Sequence, residues 1–444
     1  MHEPVPTRRA ASIEPLISIG GISAMNAYSV DYSRARTVFV VAFVAQLLGL
    51  MGFKLVWPFL PLYLGDLGVP AHRLALWAGL LDFAEEIATV IAAPVWGVLG
   101  DRFGRKVMVV RALLGGALVI SLITAAPNEY VVLALVILSG LLTGVISPLN
   151  ALVASVTPPG SLGKVMGRLL AGVFLANTTG PLLGGLIGDA IGFRGGFLIG
   201  AGLLAAAAVL VLLLVREPPL QRTSTGEGKQ EIGFFRQLSR MVRVPGYPAL
   251  LVCLGVLGLS GMMLYPILPV LVPTLAGLPT RAGEAQVATA VGLALGVPGV
   301  AGVLASWKAH LVVERLGSGR TLLWSATIGA LFTAALFFVD SFWWLVGLRA
   351  VNGLFLGVAQ AALGALVGVL SPRDLYSTAY GVAGSVQSAA TALGFLGGGL
   401  VGFLFGLHAA FIVSGALLCV VAVVGVFSLR ADQARPAETT IPRT

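Results

Sequence analysis

The chain has 444 residues, of which 57% are hydrophobic and only 11% charged, and its mean hydropathy is +0.96. That is more apolar surface than a soluble core can bury, so the composition excludes a soluble globular domain and implies a polytopic membrane protein. A net charge of +9 would suggest nucleic acid as the partner of a soluble domain; here it is a topological signal, and no nucleic-acid partner is implied.

Stretches such as 37–64 and 130–154 exceed the roughly 20 residues needed to cross a bilayer as a helix. Residues 1–36 carry Arg8 and Arg9 before a short apolar run, Pro15 to Met25, that is broken by glycine and serine. They are expected to form a cytoplasmic tail rather than a signal peptide, with Met25 as an alternative start. Twelve spans are predicted after it, near 38–64, 75–98, 106–126, 130–153, 166–188, 195–215, 247–274, 286–309, 321–339, 342–369, 378–404 and 407–429. The fold class is therefore an all-α membrane protein. Residues 37–215 and 247–430 form two six-helix bundles, 216–246 form a polar cytoplasmic linker, and 431–444 a C-terminal tail. Among the 28 Lys and Arg, Lys54 and Arg349 fall deep within spans, and only Arg73, Arg194 and Arg281 fall on one face. All others fall on the opposite face, which places both termini in the cytoplasm of a cell membrane.

The first span carries Phe53, Lys54 and the run Trp57-Pro58-Phe59-Leu60-Pro61-Leu62-Tyr63. The second carries Asp82, Glu85 and Glu86, whose i, i+3, i+4 spacing puts three carboxyls on one helix face. A charge at the bilayer centre costs roughly 2.5 to 3.5 kcal/mol on insertion scales, so these groups must be paired, neutral or wet. At about 1.5 Å per residue, Lys54 and Glu85 lie at matching depth on successive helices. Lys54 is therefore expected to pair with Glu85 or Asp82, leaving at least one carboxyl free to carry a proton or to meet a cationic substrate. A static network tying the first two spans together is the competing expectation.

The second span ends in a charged turn, Gly97-Val98-Leu99-Gly100-Asp101-Arg102-Phe103-Gly104-Arg105-Lys106. Its glycines permit a tight hairpin, and its cations suit a headgroup surface. In the fifth span Gly172, Gly180, Pro181, Gly184 and Gly185 form a small-residue stripe with a proline bend, suited to close helix packing. An internal repeat relates the two halves: Trp57-Pro58-Phe59-Leu60-Pro61 recurs as Tyr265-Pro266-Ile267-Leu268-Pro269, and the segment from Ala151 to Pro158 echoes that from Ala365 to Pro372. Two parallel repeats imply a pseudo-twofold axis along the membrane normal.

In the second half, Met262 and Tyr265 are candidates, with Phe53 and Trp57, for an adaptable cavity wall. Arg349 and Asn352 in the tenth span are candidates to orient an anionic or polar part of a substrate; packing against backbone carbonyls, or pairing of Arg349 with the acid cluster, is an alternative. The two cysteines, Cys253 and Cys419, lie inside spans, and the four histidines share no ligand spacing, so neither a disulfide framework nor a metal site is expected. No nucleotide loop or nucleophile triad is present, which argues against an enzyme.

These motifs resemble those of the major facilitator superfamily, especially the twelve-span drug:proton antiporters among bacterial multidrug and tetracycline-type efflux permeases. The resemblance covers nearly the whole chain and rests on the loop from Gly97 to Lys106, the fifth-span Gly-Pro motif and the Trp57 run. One departure stands out. Where the family often has Arg-x-x-Gln-Gly in the fourth span, this chain has Val136-Ile137-Leu138-Ser139-Gly140, although Arg349-Ala350-Val351-Asn352-Gly353 keeps a similar pattern in the tenth. The resemblance implies a major facilitator fold, proton-coupled efflux of amphipathic or cationic small molecules by alternating access, the proton as coupling ion without a cofactor, and a monomer in the bilayer. It also implies that Gly97, Asp101, Arg102, Gly104, Arg105 and Lys106 latch the cytoplasmic ends of the halves in the outward-facing state. A metabolite importer on the same scaffold and a transport-inactive membrane sensor are the alternatives.

Overall fold

The computed structural model describes residues 32–157, 161–215, 240, 243–278, 286–371 and 376–433. Most of the expected N-terminal tail, linker and C-terminal tail, together with Pro158, Arg281 and Pro372, lie outside the described residues. The described chain is built of long apolar helices that pass back and forth twelve times in two bundles of six. Among the described residues, eight helices are long and apolar enough to cross a membrane by length and composition, and one of them, Lys164–Leu214, folds back on itself. The reversal falls at Gly192, whose φ of 76° and ψ of 165° end the fifth span and start the sixth without an intervening loop. The second span runs from Ala71 to Phe103 and the eighth from Val287 to Leu316. Both extend beyond the hydropathy limits because their polar ends project toward the linker face.

The aromatic-proline repeat produces the same break in both halves. The first span is a helix over Tyr32–Lys54, a short 3-10 turn over Trp57–Phe59 and a second helix over Leu60–Asp66. The seventh is a helix over Tyr247–Met263, a turn, and a helix over Leu268–Leu275, with a 44° bend. Proline lacks an amide hydrogen and its ring crowds the carbonyl four residues back, so a continuous helix cannot pass through either motif.

The fourth span differs from the continuous helix expected over 130–153. It stops at Leu142 and restarts at Ile146, because Gly144 adopts a φ of 104° and Pro148 can enter only the first turn of the second piece.

Another repeat becomes visible only in the fold. Gly104, with φ 102°, is the whole connection between the second span and the third over Arg105–Ile123. Gly317, with φ 80°, plays the same part between the eighth span and the ninth over Ser318–Ala335. The flanking residues match as well, Asp101-Arg102-Phe103-Gly104 against Glu314-Arg315-Leu316-Gly317.

Two helix pairs carry most of the contact between the bundles among the described residues. The second span lies against the eleventh, Tyr376–Phe405, and the fifth against the eighth. The contacts are backbone to backbone at the face opposite the linker: a side chain at Gly79 would run into the Phe395 carbonyl and the Gly399 backbone, and one at Gly185 into the Ala288 carbonyl. Glycine is required there because only a hydrogen fits between the crossing chains. Gly97, at the linker end of the same second span, has no such neighbour within 4 Å. The halves are thus in backbone contact at that face, and Gly97 at the linker end of the second span takes no part in the contact.

Candidate functional site

The break after Lys54 turns the first span so that Lys54 and Trp57 meet the middle of the second. There the indole of Trp57 donates to Glu85 Oε2 at 3.1 Å. Asp82 is almost wholly buried, with 7% of its surface exposed. One helix position beyond Glu85, Glu86 turns toward the other bundle, where the Ser388 hydroxyl of the eleventh span can donate to it. The three carboxyls therefore share one stretch of helix but reach three different surroundings.

Lys54 acts electrostatically on all three carboxylates, yet among the described residues it forms no direct ion pair with any of them. Its ammonium lies 5.9 Å from the ring centroid of Tyr265, across the interface between the halves. The expected Lys54 pair with Glu85 or Asp82 is thus electrostatic proximity rather than direct contact among the described residues. Matching depth sets the height of two groups on neighbouring helices, while the rotation of each helix decides which way they face.

A cavity of about 690 Å³ lies between the fifth span and the second bundle. Ala171, Phe174, Asn177 and Thr178 line it from the fifth span; Met262 and Tyr265 from the seventh; Gly299 and Trp307 from the eighth; Arg349, Asn352 and Gln360 from the tenth, Phe342–Leu370. The wall is mostly apolar with a few convergent polar groups, the usual character of a small-molecule site. Among its described lining residues Arg349 carries the only full charge, and no carboxylate faces the space. The Arg349 Nε donates to the Ala294 carbonyl at 3.0 Å. The alternative pairing of Arg349 with the acid cluster is not formed among the described residues.

Asn352 also borders the cavity, but its amide nitrogen is engaged by the ninth span, donating to Thr333 Oγ1 at 2.6 Å and to the Gly329 carbonyl at 3.0 Å. Phe53 and Trp57 stand outside the wall. Phe53 packs edge-on to Trp57 with ring centroids 5.4 Å apart and covers Gly116 of the third span, so both rings belong to the core of the first bundle. Their type suited a cavity; the packing of the first span against the third turns Phe53 inward, and the break at Pro58 brings Trp57 beside it.

The fifth-span glycines serve two neighbours. Gly172 leaves room for the Phe43 ring, Gly180 for the Lys54 side chain and Gly184 for Leu55 and Phe59 of the first span, while Gly185 and the Pro181 carbonyl touch the eighth span of the other bundle. At the linker face, Lys106 donates to the Leu212 carbonyl at 2.7 Å, one turn from the end of the sixth span, where a cation also offsets the helix dipole. The Arg102 guanidinium lies 5.5 Å from the Phe103 ring, and Arg105 is engaged as well. The Asp101 side chain lies outside the described ones.

Two parts of the site were missed by the sequence reading. Asn177, Thr178 and Thr179 are a polar triplet inside an apolar span, and that composition alone could have marked the fifth span as cavity-lining. Asp189 carried no such signal, since it sat at a presumed helix end. Its carboxylate accepts from the Ala288 and Thr289 backbone amides, at the N-terminus of the eighth span.

Comparison with known proteins places this geometry in context. The profile of the Major Facilitator Superfamily matches residues 42–311 and 288–442. The multidrug resistance protein MdtG of Serratia proteamaculans is 32% identical over 416 residues, covering 91% of this chain and 97% of that protein. MdtG of Enterobacter lignolyticus is 33% identical over 399 residues, covering 88% and 90%. Among solved structures, a bacterial homologue of the human lysosomal transporter Spinster, in an inward-facing and unoccupied conformation, superposes with a TM-score of 0.74 at 14% identity, covering 91% of this chain and 99% of that one. The nucleoside transporter NupG gives 0.69 at 12% identity, covering 90% and 100%. Two bundles of six passes, an interface between them that encloses a ligand-sized space, and a match along most of the sequence lead to one conclusion: the chain belongs to the major facilitator superfamily and is a multi-pass membrane transporter, not an enzyme.

Proposed function

We propose that the protein exports amphipathic small molecules in exchange for protons, by alternating access, as a monomer with both termini in the cytoplasm. The observation that carries this reading is the position of the Asp82, Glu85 and Glu86 cluster. Asp82 is buried and Glu85 and Glu86 are half-buried, beside Lys54, whose ammonium lies over the Tyr265 ring that also lines the cavity. Buried ionisable groups in a membrane protein are costly and mark ion pathways, and this cluster lies where a proton can bias which face is closed. The multidrug resistance proteins similar to the chain support the direction of transport and the substrate class.

With the termini in the cytoplasm, the conformation closed at Gly79 and Gly185 is inward-facing. The cavity then receives its ligand from the cytoplasm or the inner leaflet. Arg349 favours an anionic or polar pole, and a cationic pole would lie against the Tyr265 ring, toward the acids. On this reading the loop from Gly97 to Lys106 latches the cytoplasmic ends when the transporter faces outward.

The test is an everted-vesicle assay. Ethidium, a cationic amphipath, or 1-anilinonaphthalene-8-sulfonate, an anionic one, is added to an established pH gradient and proton efflux is followed. Dye-induced proton release that is absent from vesicles lacking the protein supports exchange; a gradient indifferent to both dyes overturns it.

A further inference from the structure

Tyr265 belongs to two places at once. Its ring borders the cavity, and it also faces the Lys54 ammonium at 5.9 Å. The seventh-span break puts it there, in the turn that follows Met263, where its backbone amide donates to the Met262 carbonyl at 3.1 Å. Phe395 of the eleventh span braces the ring edge-on, with centroids 5.7 Å apart. The phenolic oxygen is buried and has no hydrogen-bond partner among the described residues, so the structure uses the ring rather than the hydroxyl. Its counterpart in the internal repeat, Trp57, touches the same charge cluster from the opposite side by donating to Glu85. Two aromatic residues related by the repeat thus bracket the cluster, one on a carboxylate and the other on the ammonium.

We propose that Tyr265 is the positioning residue that couples the cavity to the proton site. Lys54 has two competing resting places, the carboxylates of its own bundle and the π-face of Tyr265 in the other. The ammonium and a proton compete for the same carboxylate charge. Protons on the cluster release Lys54 to the ring. A ligand that presses on the ring from the cavity returns Lys54 to the carboxylates and displaces a proton to solvent. The charged groups that face this switch are Lys54 from the first span, Asp82, Glu85 and Glu86 from the second and, across the cavity, Arg349 from the tenth. The inference rests on the proton-coupled reading above and names the side chain through which coupling runs.

The experiment uses the full chain in proteoliposomes with whichever of the two dyes it moves, and compares gradient-driven accumulation with dye exchange in the absence of a gradient. The ratio of the two is the readout, taken across a range of pH. Tyr265→Leu should lower the ratio by about tenfold, between the exposed and desolvated limits of a cation–π contact, and should flatten its pH profile. Tyr265→Phe, which keeps the ring, should restore both. Phe395→Leu, which removes only the brace, should shift the ratio in the same direction by a smaller factor and serves if Tyr265→Leu does not fold. An unchanged ratio in Tyr265→Leu, or in Phe395→Leu where that variant stands in for it, overturns the inference while leaving proton exchange intact. A wild-type protein whose dye transport ignores the gradient overturns the proton-coupled reading itself.

Discussion

The Asp189 carboxylate holds the first turn of the eighth span from across the interface, accepting from the Ala288 amide at 2.9 Å and the Thr289 amide at 2.8 Å. The first amides of a helix have no partner within it, and an anion there also meets the positive end of the helix dipole. The pair is thus a clasp between the two bundles that exists only while this face is closed. Asp189→Ala should weaken the closed state by about 1 kcal/mol, the usual cost of losing such a cap. Spin labels at His72 and Phe405, on the same face of opposite bundles, should show a longer-distance population growing in the variant. An unaltered distance distribution would remove Asp189 from the gate.

Glycine contacts make a sharper pair of expectations, of opposite sign. Gly185→Ala pushes a methyl group into the Ala288 carbonyl and should oppose closure of this face by about 1 to 3 kcal/mol, typical of overpacking. Gly97→Ala meets nothing in the present conformation, so it can act only on the state in which the loop closes. The two variants should shift the same label distances in opposite directions, and shifts of the same sign would refute the assignment of the Gly97 loop to the other gate.

Glu85→Gln tests the acid cluster without disturbing its packing. The amide oxygen can still accept from the Trp57 indole, the contact seen at 3.1 Å, so the protein should fold normally and unfold within a few degrees of wild type. Dye-driven proton release should be lost. Retained proton release together with a fall in thermal stability would instead make the cluster a structural tether between the first two spans.

Arg349 and Asn352 sit one turn apart on the tenth span and should fail differently. Asn352→Ala removes two buried donations, to the Thr333 hydroxyl and the Gly329 carbonyl, which keep their own hydrogen bond to each other, so the loss should cost about 1 kcal/mol of stability. Arg349→Gln keeps a donor for the Ala294 carbonyl but removes the cavity's positive charge. It should weaken transport of the sulfonate dye more than that of ethidium, measured as apparent KM. Equal effects on both dyes would assign Arg349 to packing alone.

Much of this architecture can be read from residue types. Apolar runs interrupted by charged turns set out the helical passes. Three acids in one apolar helix announce a buried charge site, because lipid does not tolerate them by accident. The repeated aromatic-proline run foretells a pair of matching breaks.

What escaped were directions. Whether Phe53 and Trp57 line a cavity or fill a core depends on how the first span packs against the third and on the break at Pro58, and residue type is silent on both. Lys54 comes close enough to the second span to act on its carboxylates but faces a ring from the other bundle, a neighbour that only the assembled fold supplies. The interruption of the fourth span follows from Gly144 and Pro148 acting together, while either alone is common inside membrane helices. Asp189 matters because an N-terminus belonging to a distant part of the chain arrives beside it, a pairing with no local trace.

The single-glycine corners at Gly104 and Gly317 carry a mechanical consequence. Each joins two long helices with one residue of left-handed backbone, so the joint has no slack to absorb motion. When the linker-side end of the second span shifts to open or close a gate, the start of the third must shift with it, because one residue cannot bridge a wider gap, and the eighth and ninth are tied in the same way. Each corner is a short tether that keeps two helix ends together while the rest of each helix is held by its packing.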